Sequence, residues 1–128
     1  MNKTVLVVDD SFALRKLIRY SVNRVYKNME YYEARDGVEA LEILKSGAAI
    51  DVIITDINMP KMDGLTFLKE KMKDPNAKNI PTIVLSQKDE ADIKLQALNY
   101  GIIEFLPKPF NVTKMKEVLI KILEEGNK

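Results

Sequence analysis

Runs of apolar residues alternate along this chain with segments in which apolar positions recur every three or four residues. "TVLVV" (4–8), "YYEA" (31–34), "VIIT" (52–55), "TIVL" (82–85) and "IEFL" (103–106) read as short strands, the second more polar and therefore expected at a sheet edge. Between them, Leu14, Leu17, Ile18, Val22 and Val25 fall on one helical face, and Met115, Val118, Leu119 and Ile122 do so near the C-terminus. Leu65, Leu68 and Met72 make a third stripe, Ala91, Leu95 and Leu98 a fourth, and "VEALEILKSG" (38–47) a fifth that ends on a capping glycine. Strand and helix thus alternate five times, which predicts an α/β, doubly wound domain: a parallel sheet with helices on both faces. "DPNAKNIP" (74–81), with two prolines, is expected to be a surface loop. No repeat, low-complexity tract or linker divides the chain, so residues 1–128 read as one domain.

Composition narrows the chemistry. A chain of 128 residues with 46% hydrophobic content can bury one core. No apolar run approaches the roughly 20 residues of a membrane span, and Val5 to Val8 is too short for a signal peptide, so a cytoplasmic protein without a membrane partner is expected. The chain has no cysteine and no histidine, which excludes disulfides, a Ser-His-Asp triad, imidazole metal ligands and a phosphohistidine of its own. A net charge of +1, from 20 basic and 19 acidic residues mixed along the chain, leaves no polycationic footprint for nucleic acid.

In doubly wound sheets, ligands bind beyond the carboxyl ends of the strands, near the point where strand order reverses. The residues just past the apolar runs are Asp9 and Asp10, Asp56, Ser86 and Lys108. In the strand order 2-1-3-4-5 these ends are neighbours, while the second strand, ending near Arg35, lies outside the cleft. Carboxylates about 4 Å apart at an effective dielectric near 20 repel by on the order of 4 kcal/mol per pair. Either one acid has a raised pKa, or a hard divalent cation such as Mg²⁺ neutralises them; the oxygen-only ligand set fits the cation better. Acids, a cation, an amine and a hydroxyl without histidine suit phosphoryl transfer to a carboxylate, with Asp56 as the nucleophile. Plainer roles stand beside this one, because any Asp or Ser between strand and helix can cap the helix. Asp36, with Glu39 three residues on, reads as a capping box, and Asp63 as the cap of the helix containing Leu65. Ser86 could cap the fourth helix, and either Asp10 or Ser11 the first.

Together "VLVVDDS", "ITDINMPKMDG", "IVLSQ" and "EFLPKPF" resemble the receiver domain of two-component response regulators over essentially the whole chain. The resemblance implies a flavodoxin-like fold with strand order 2-1-3-4-5. It also implies that Asp56 accepts a phosphoryl group from a sensor histidine kinase or a phosphotransfer protein. By the same likeness Asp9, Asp10, Asp56 and the backbone carbonyl of Asn58 hold Mg²⁺ (or Mn²⁺), and Lys108 pairs with the phosphoryl group. Ser86 is the implied switch hydroxyl, Phe105 the aromatic that turns inward behind it, and the Lys108–Pro109 peptide is cis. The expected readout face comprises the fourth helix, the fifth strand and the fifth helix, with Lys88, Lys94, Tyr100 and Ile102 available for contact. The donor is expected to dock across the first helix, at Phe12, Arg15, Lys16 and Arg19.

Three positions depart from the family pattern. Gln87 stands where the family usually has a small residue and Lys88 follows it, so both could crowd the phosphoryl group. Phe105 lacks the hydroxyl that many chemotaxis members carry there. The chain stops at Lys128, soon after the fifth helix, so no output domain is expected and output goes through another protein. A monomeric, stand-alone chemotaxis regulator, with a flagellar motor switch as a candidate partner, is the leading expectation; a phosphorelay carrier is the alternative. The only catalysis expected is of its own phosphorylation and dephosphorylation. A haloacid-dehalogenase-type phosphatase would share the aspartate nucleophile and Mg²⁺, but Asn58 replaces the acid that such enzymes place two residues later. A flavodoxin-like cofactor carrier is disfavoured because "DDS" would repel a flavin phosphate.

Overall fold

The computed structural model describes residues 2–86, 91–108 and 111–125, and of Ile102, Ile103 and Glu125 it describes the backbone alone. Five strands, β1 (Lys3–Val8), β2 (Met29–Ala34), β3 (Val52–Asp56), β4 (Thr82–Ser86) and β5 (Ile102–Pro107), form one parallel sheet in the order β2-β1-β3-β4-β5. The helices between and after them are α1 (Phe12–Asn23), α2 (Gly37–Lys45), α3 (Gly64–Met72), α4 (Ala91–Ala97) and α5 (Val112–Ile120). A 3₁₀ turn, Leu98–Tyr100, follows α4, and a π-helical turn, Lys121–Glu125, extends α5.

Successive side chains of a strand point to opposite faces, and here each face meets its own helical layer. Val5 and Val7 of β1 join Val52, Ile54, Ile83, Leu85 and Leu106 beneath Ile18 and Val22 of α1 and Met115, Val118 and Leu119 of α5. Leu6 and Val8 look the other way, with Ile53 and Val84, onto Ala40 and Leu44 of α2, Phe67 and Leu68 of α3, and Ala97 of α4. Burial on both faces explains why the inner strands read as unbroken apolar runs. β2, at the edge, buries only Met29 and Ala34 at its two ends and alternates exposed and half-buried positions between them.

Two apolar stripes differ from expectation. Leu17 is 51% exposed, and Val25 lies past the end of α1, so that helix buries Ile18 and Val22 and half-buries Leu14. In the α4 region the stripe Ala91, Leu95 and Leu98 faces outward, with Leu95 67% and Leu98 57% exposed; Ala97 is buried and Ile93 packs beside it. The helix is only seven residues long before it tightens into the 3₁₀ turn, and it gives a different face, through Ile93 and Ala97, to the core. Segment 74–81 forms turns stapled by Ala77 N–H and Lys78 N–H to the Asp74 carbonyl, and it buries Ala77 while exposing most of its polar residues.

Candidate functional site

The helix caps settle which strand-end side chains stay free. Ser11 caps α1 by accepting from Leu14 N–H at 3.1 Å, which leaves Asp10 exposed and uncommitted to capping. Asp63 caps α3 through Thr66 N–H at 2.8 Å. Asp36 caps α2 through Glu39 N–H at 2.9 Å, but Glu39 does not close the expected box: its carboxylate accepts from Arg35 N–H, one residue earlier, and from the Arg35 guanidinium. Asn111 caps α5 by accepting from Thr113 and Lys114 N–H, a role the sequence reading missed although Asn before an apolar helical stripe is a usable signal.

With the caps assigned, Asp9, Asp10 and Asp56 converge: one carboxylate oxygen from each lies within 4.8 Å of the others. Asp9 is held tightly. Its N–H donates to the Ala34 carbonyl of β2 at 3.0 Å, its Oδ1 accepts from Ser11 N–H at 2.8 Å, and its Oδ2 is buried with no partner among the described residues. Burial, helped by the Asp56 and Asp10 charges and opposed by the Ser11 hydrogen bond and Lys108, raises the Asp9 pKa to about 6.

Asp56, at the end of β3, is 6% exposed. Its Oδ1 accepts from Ile57 N–H at 2.7 Å and, at a long 3.4 Å, from Asn58 N–H; its Oδ2 pairs with Lys108 Nζ at 2.8 Å. Lys108 is aimed there because its own N–H continues the β4–β5 ladder onto the Ser86 carbonyl at 2.9 Å. Ser86 Oγ, also buried, has no partner among the described residues, so the capping alternative for Ser86 finds no hydrogen bond there. Phe105 is half-buried on β5, three residues before Lys108, with Lys94 Nζ 6.0 Å from its ring centre. Gln87, Lys88 and the Lys108–Pro109 peptide bond lie outside the described residues, as does the side chain of Ile102.

The turn after Asp56 needs a glycine that sequence reading passed over. Gly64 N–H donates to the Ile57 carbonyl, and a Cβ at Gly64 would lie 2.4 Å from the Asp56 carbonyl oxygen and 2.7 Å from Ile57 Cα. Within that turn Lys61 takes a left-handed φ of 64°. The expected docking role of Arg15 is corrected: Arg15 is 8% exposed, and its guanidinium is spent internally on Glu33 and the Asp9 carbonyl. Phe12 and Lys16 remain on the exposed side of α1, and Arg19 is half-exposed while paired with Glu33.

Grooves of about 370 and 460 Å³ between α2, α3 and segment 74–80 share Lys45 and Asp74 and contain none of these groups. The convergent acids, ammonium and hydroxyl sit instead at the carboxyl edge of the sheet, an oxygen-rich set that matches a hard divalent cation. Among the described residues no helix is long and apolar enough to cross a membrane.

The sequence profile of the response regulator receiver domain matches residues 5–120. Chemotaxis protein CheY1 of Helicobacter pylori is 38% identical over 120 residues, covering 93% of this chain and 95% of that protein. A protein-glutamate methylesterase/protein-glutamine glutaminase of Pyrococcus horikoshii is 37% identical over 97% of this chain, which spans only 34% of that protein's length. Among solved structures, the chemotaxis response regulator CheY4 of Vibrio cholerae superposes with a TM-score of 0.83 at 31% identity, covering 95% of this chain and 99% of that one. The phosphorylated cyanobacterial phytochrome response regulator RcpA superposes with a TM-score of 0.84 at 27% identity, covering 98% and 96%. With that match running from β1 to the end of α5 and the fold agreeing strand for strand, this chain belongs to the response regulator receiver domain family.

Proposed function

We propose that this chain is a stand-alone, cytoplasmic receiver that takes a phosphoryl group on Asp56 and passes its state to an output protein. The observation that carries this reading is the Asp56 carboxylate held 2.8 Å from Lys108 Nζ, with two further carboxylates converging on it and a buried Asp9 oxygen without a partner among the described residues. Asp56 attacks the phosphorus of a phosphohistidine on a sensor kinase or phosphotransfer protein. An O–P bond forms as the P–N bond breaks, and the electron pair leaves on the imidazole nitrogen. Lys108 meets the incoming phosphoryl oxygens from the side where it now pairs with Asp56, and the Ser86 hydroxyl, without a partner among the described residues, supplies a second donor. Asp9, Asp10, Asp56 and the backbone carbonyl of Asn58 would hold Mg²⁺ (or Mn²⁺), whose charge would offset both the acids and the phosphoryl oxygens.

The phosphoryl group carries up to two negative charges where the Asp56 carboxylate carried one, and it brings three acceptor oxygens, so it favours whichever arrangement of β4, β5 and α4 brings Ser86 and Lys108 onto it. Ser86 moving away leaves space for Phe105, and the outward Leu95 lies on the helix whose position then changes, with Leu98 on the 3₁₀ turn that follows it. Chemotaxis output, with the flagellar motor switch as the candidate partner, is supported by relatives of nearly the same length named for that process. A phosphorelay carrier is the second reading. Phe12 and Lys16 are the proposed contacts for the phosphoryl donor. Incubation with Mg²⁺ and acetyl phosphate should give a phosphate-sized gain in intact mass that the Asp56→Asn variant lacks. No gain in wild type, with either acetyl phosphate or a phosphorylated kinase, overturns the proposal.

A further inference from the structure

Arg15 does more than link α1 to the sheet. Its Nη1 donates to the Asp9 carbonyl at 2.7 Å, within a buried environment, and its Nε donates to Glu33 of β2 at 2.9 Å. Glu33 is in turn held by Arg19 Nη1 at 2.9 Å, and the Arg19 guanidinium lies 4.7 Å from the Tyr31 ring centre. We propose that Arg15 is a positioning residue for the cation pocket, setting the Asp9–Asp10 peptide and with it the direction of both carboxylates; this rests on the reading of Asp9, Asp10 and Asp56 as cation ligands.

Asp9 is 1% exposed, so water does not reach its carbonyl freely, and a buried carbonyl without a donor is costly. That carbonyl belongs to the peptide joining Asp9 to Asp10, the two residues whose carboxylates approach Asp56. With Asp9 anchored, rotating this peptide would carry away Asp10 and the Ser11 N–H that holds Asp9 Oδ1, so both carboxylates would lose their alignment. The neighbouring hydrogen bonds, Asp9 N–H to Ala34 and Ser11 N–H to Asp9 Oδ1, secure the residue and leave its carbonyl side to Arg15. A charged donor makes a stronger hydrogen bond than a neutral one, and Glu33 offsets the buried guanidinium so that it stays where the carbonyl needs it. A lysine could reach the carbonyl, but it lacks the fork that serves carbonyl and carboxylate together.

The test is calorimetric titration of the full chain with Mg²⁺ alone, for wild type, Arg15→Met and Arg15→Lys, with thermal unfolding of each without metal and at saturating Mg²⁺. Hydrogen bonds that orient metal ligands are worth about 10–100-fold in affinity. Arg15→Met should therefore bind Mg²⁺ at least about tenfold more weakly, and Arg15→Lys should fall between it and wild type. Phosphorylation by acetyl phosphate should need correspondingly more Mg²⁺ and climb back towards the wild-type rate as Mg²⁺ is raised. A purely structural role would lower the unfolding midpoint and leave Mg²⁺ affinity in place. Arg15→Met binding Mg²⁺ within twofold of wild type overturns the inference and spares the receiver reading, whereas wild type that binds no Mg²⁺ overturns both. If Arg15→Met does not fold, Glu33→Gln takes its place: it keeps the guanidinium but loosens it, and unchanged Mg²⁺ affinity there overturns the inference.

Discussion

Lys71 carries an amine into the core. It is 0% exposed, and its Nζ donates to the Lys78 carbonyl at 3.2 Å, where segment 74–80 closes over α3. Burial lowers its pKa from 10.5 to about 8. The folded chain therefore releases this proton first, and between pH about 8 and 10.5 the unfolded chain binds more protons. The Lys71 contribution to stability therefore rises with pH across that window, and below it the cost of burying the charge is fully present. Lys71→Met should raise neutral-pH stability by on the order of 1–3 kcal/mol and remove the alkaline rise that wild type shows. Urea unfolding of both proteins at pH 7 and pH 10 measures this; parallel pH dependences would contradict it. Sequence reading could not find Lys71, because a lysine between Glu70 and Met72 on a charged helix looks solvated until segment 74–80 is seen to cover it. Arg15 hides for the same reason: Arg15 and Lys16 are adjacent and both basic, and only packing against β2 sends one inward and the other out.

The β3–α3 connection and α4 show how an element's surroundings outweigh its pattern. Gly64→Ala would press a methyl group against backbone, the Asp56 carbonyl and Ile57 Cα, with no flexible side chain to give way. It should cost about 1–3 kcal/mol and slow acetyl-phosphate labelling, because relief must shift the backbone that carries Asp56. Gly47, past the end of α2 at φ 89°, is the control: nothing lies within 4 Å of its Cβ position, so Gly47→Ala should cost about 1 kcal/mol of left-handed strain and leave labelling unchanged. Comparing unfolding midpoints and labelling rates of the two variants separates steric clash from backbone conformation. For α4, the periodicity of Ala91, Leu95 and Leu98 predicted a buried face, yet Leu95 and Leu98 face solvent. Leu95→Gln should accordingly change stability by no more than about 0.5 kcal/mol in thermal melts; a loss near 2 kcal/mol would mean the residue packs in solution.

For the molecule as a whole, the convergent acids should link stability to cations. Mg²⁺ should raise the unfolding midpoint of wild type, adding about 2.7 kcal/mol to its unfolding free energy at a hundred times the dissociation constant. Asp10→Asn should be the more stable protein without metal, since it removes one of three converging negative charges, and should gain little from Mg²⁺. Melts of both proteins with and without Mg²⁺ test this; equal Mg²⁺ responses would remove Asp10 from the pocket. The strands, their edge order and the residues that meet at their ends were legible in the chain. A strand buried on both faces must be a continuous apolar run, and parallel winding brings the polar residues that end those runs to one rim: Asp9, Asp10, Asp56, Ser86 and Lys108. These are local signals combined by a simple topological rule. Which basic residue of α1 turns inward, where a lysine is roofed over, why Gly64 has no room for a methyl and which side of α4 meets water depend on neighbours distant in sequence. Burial is a property of the partner surface as much as of the residue, so those answers exist only once the chain has packed.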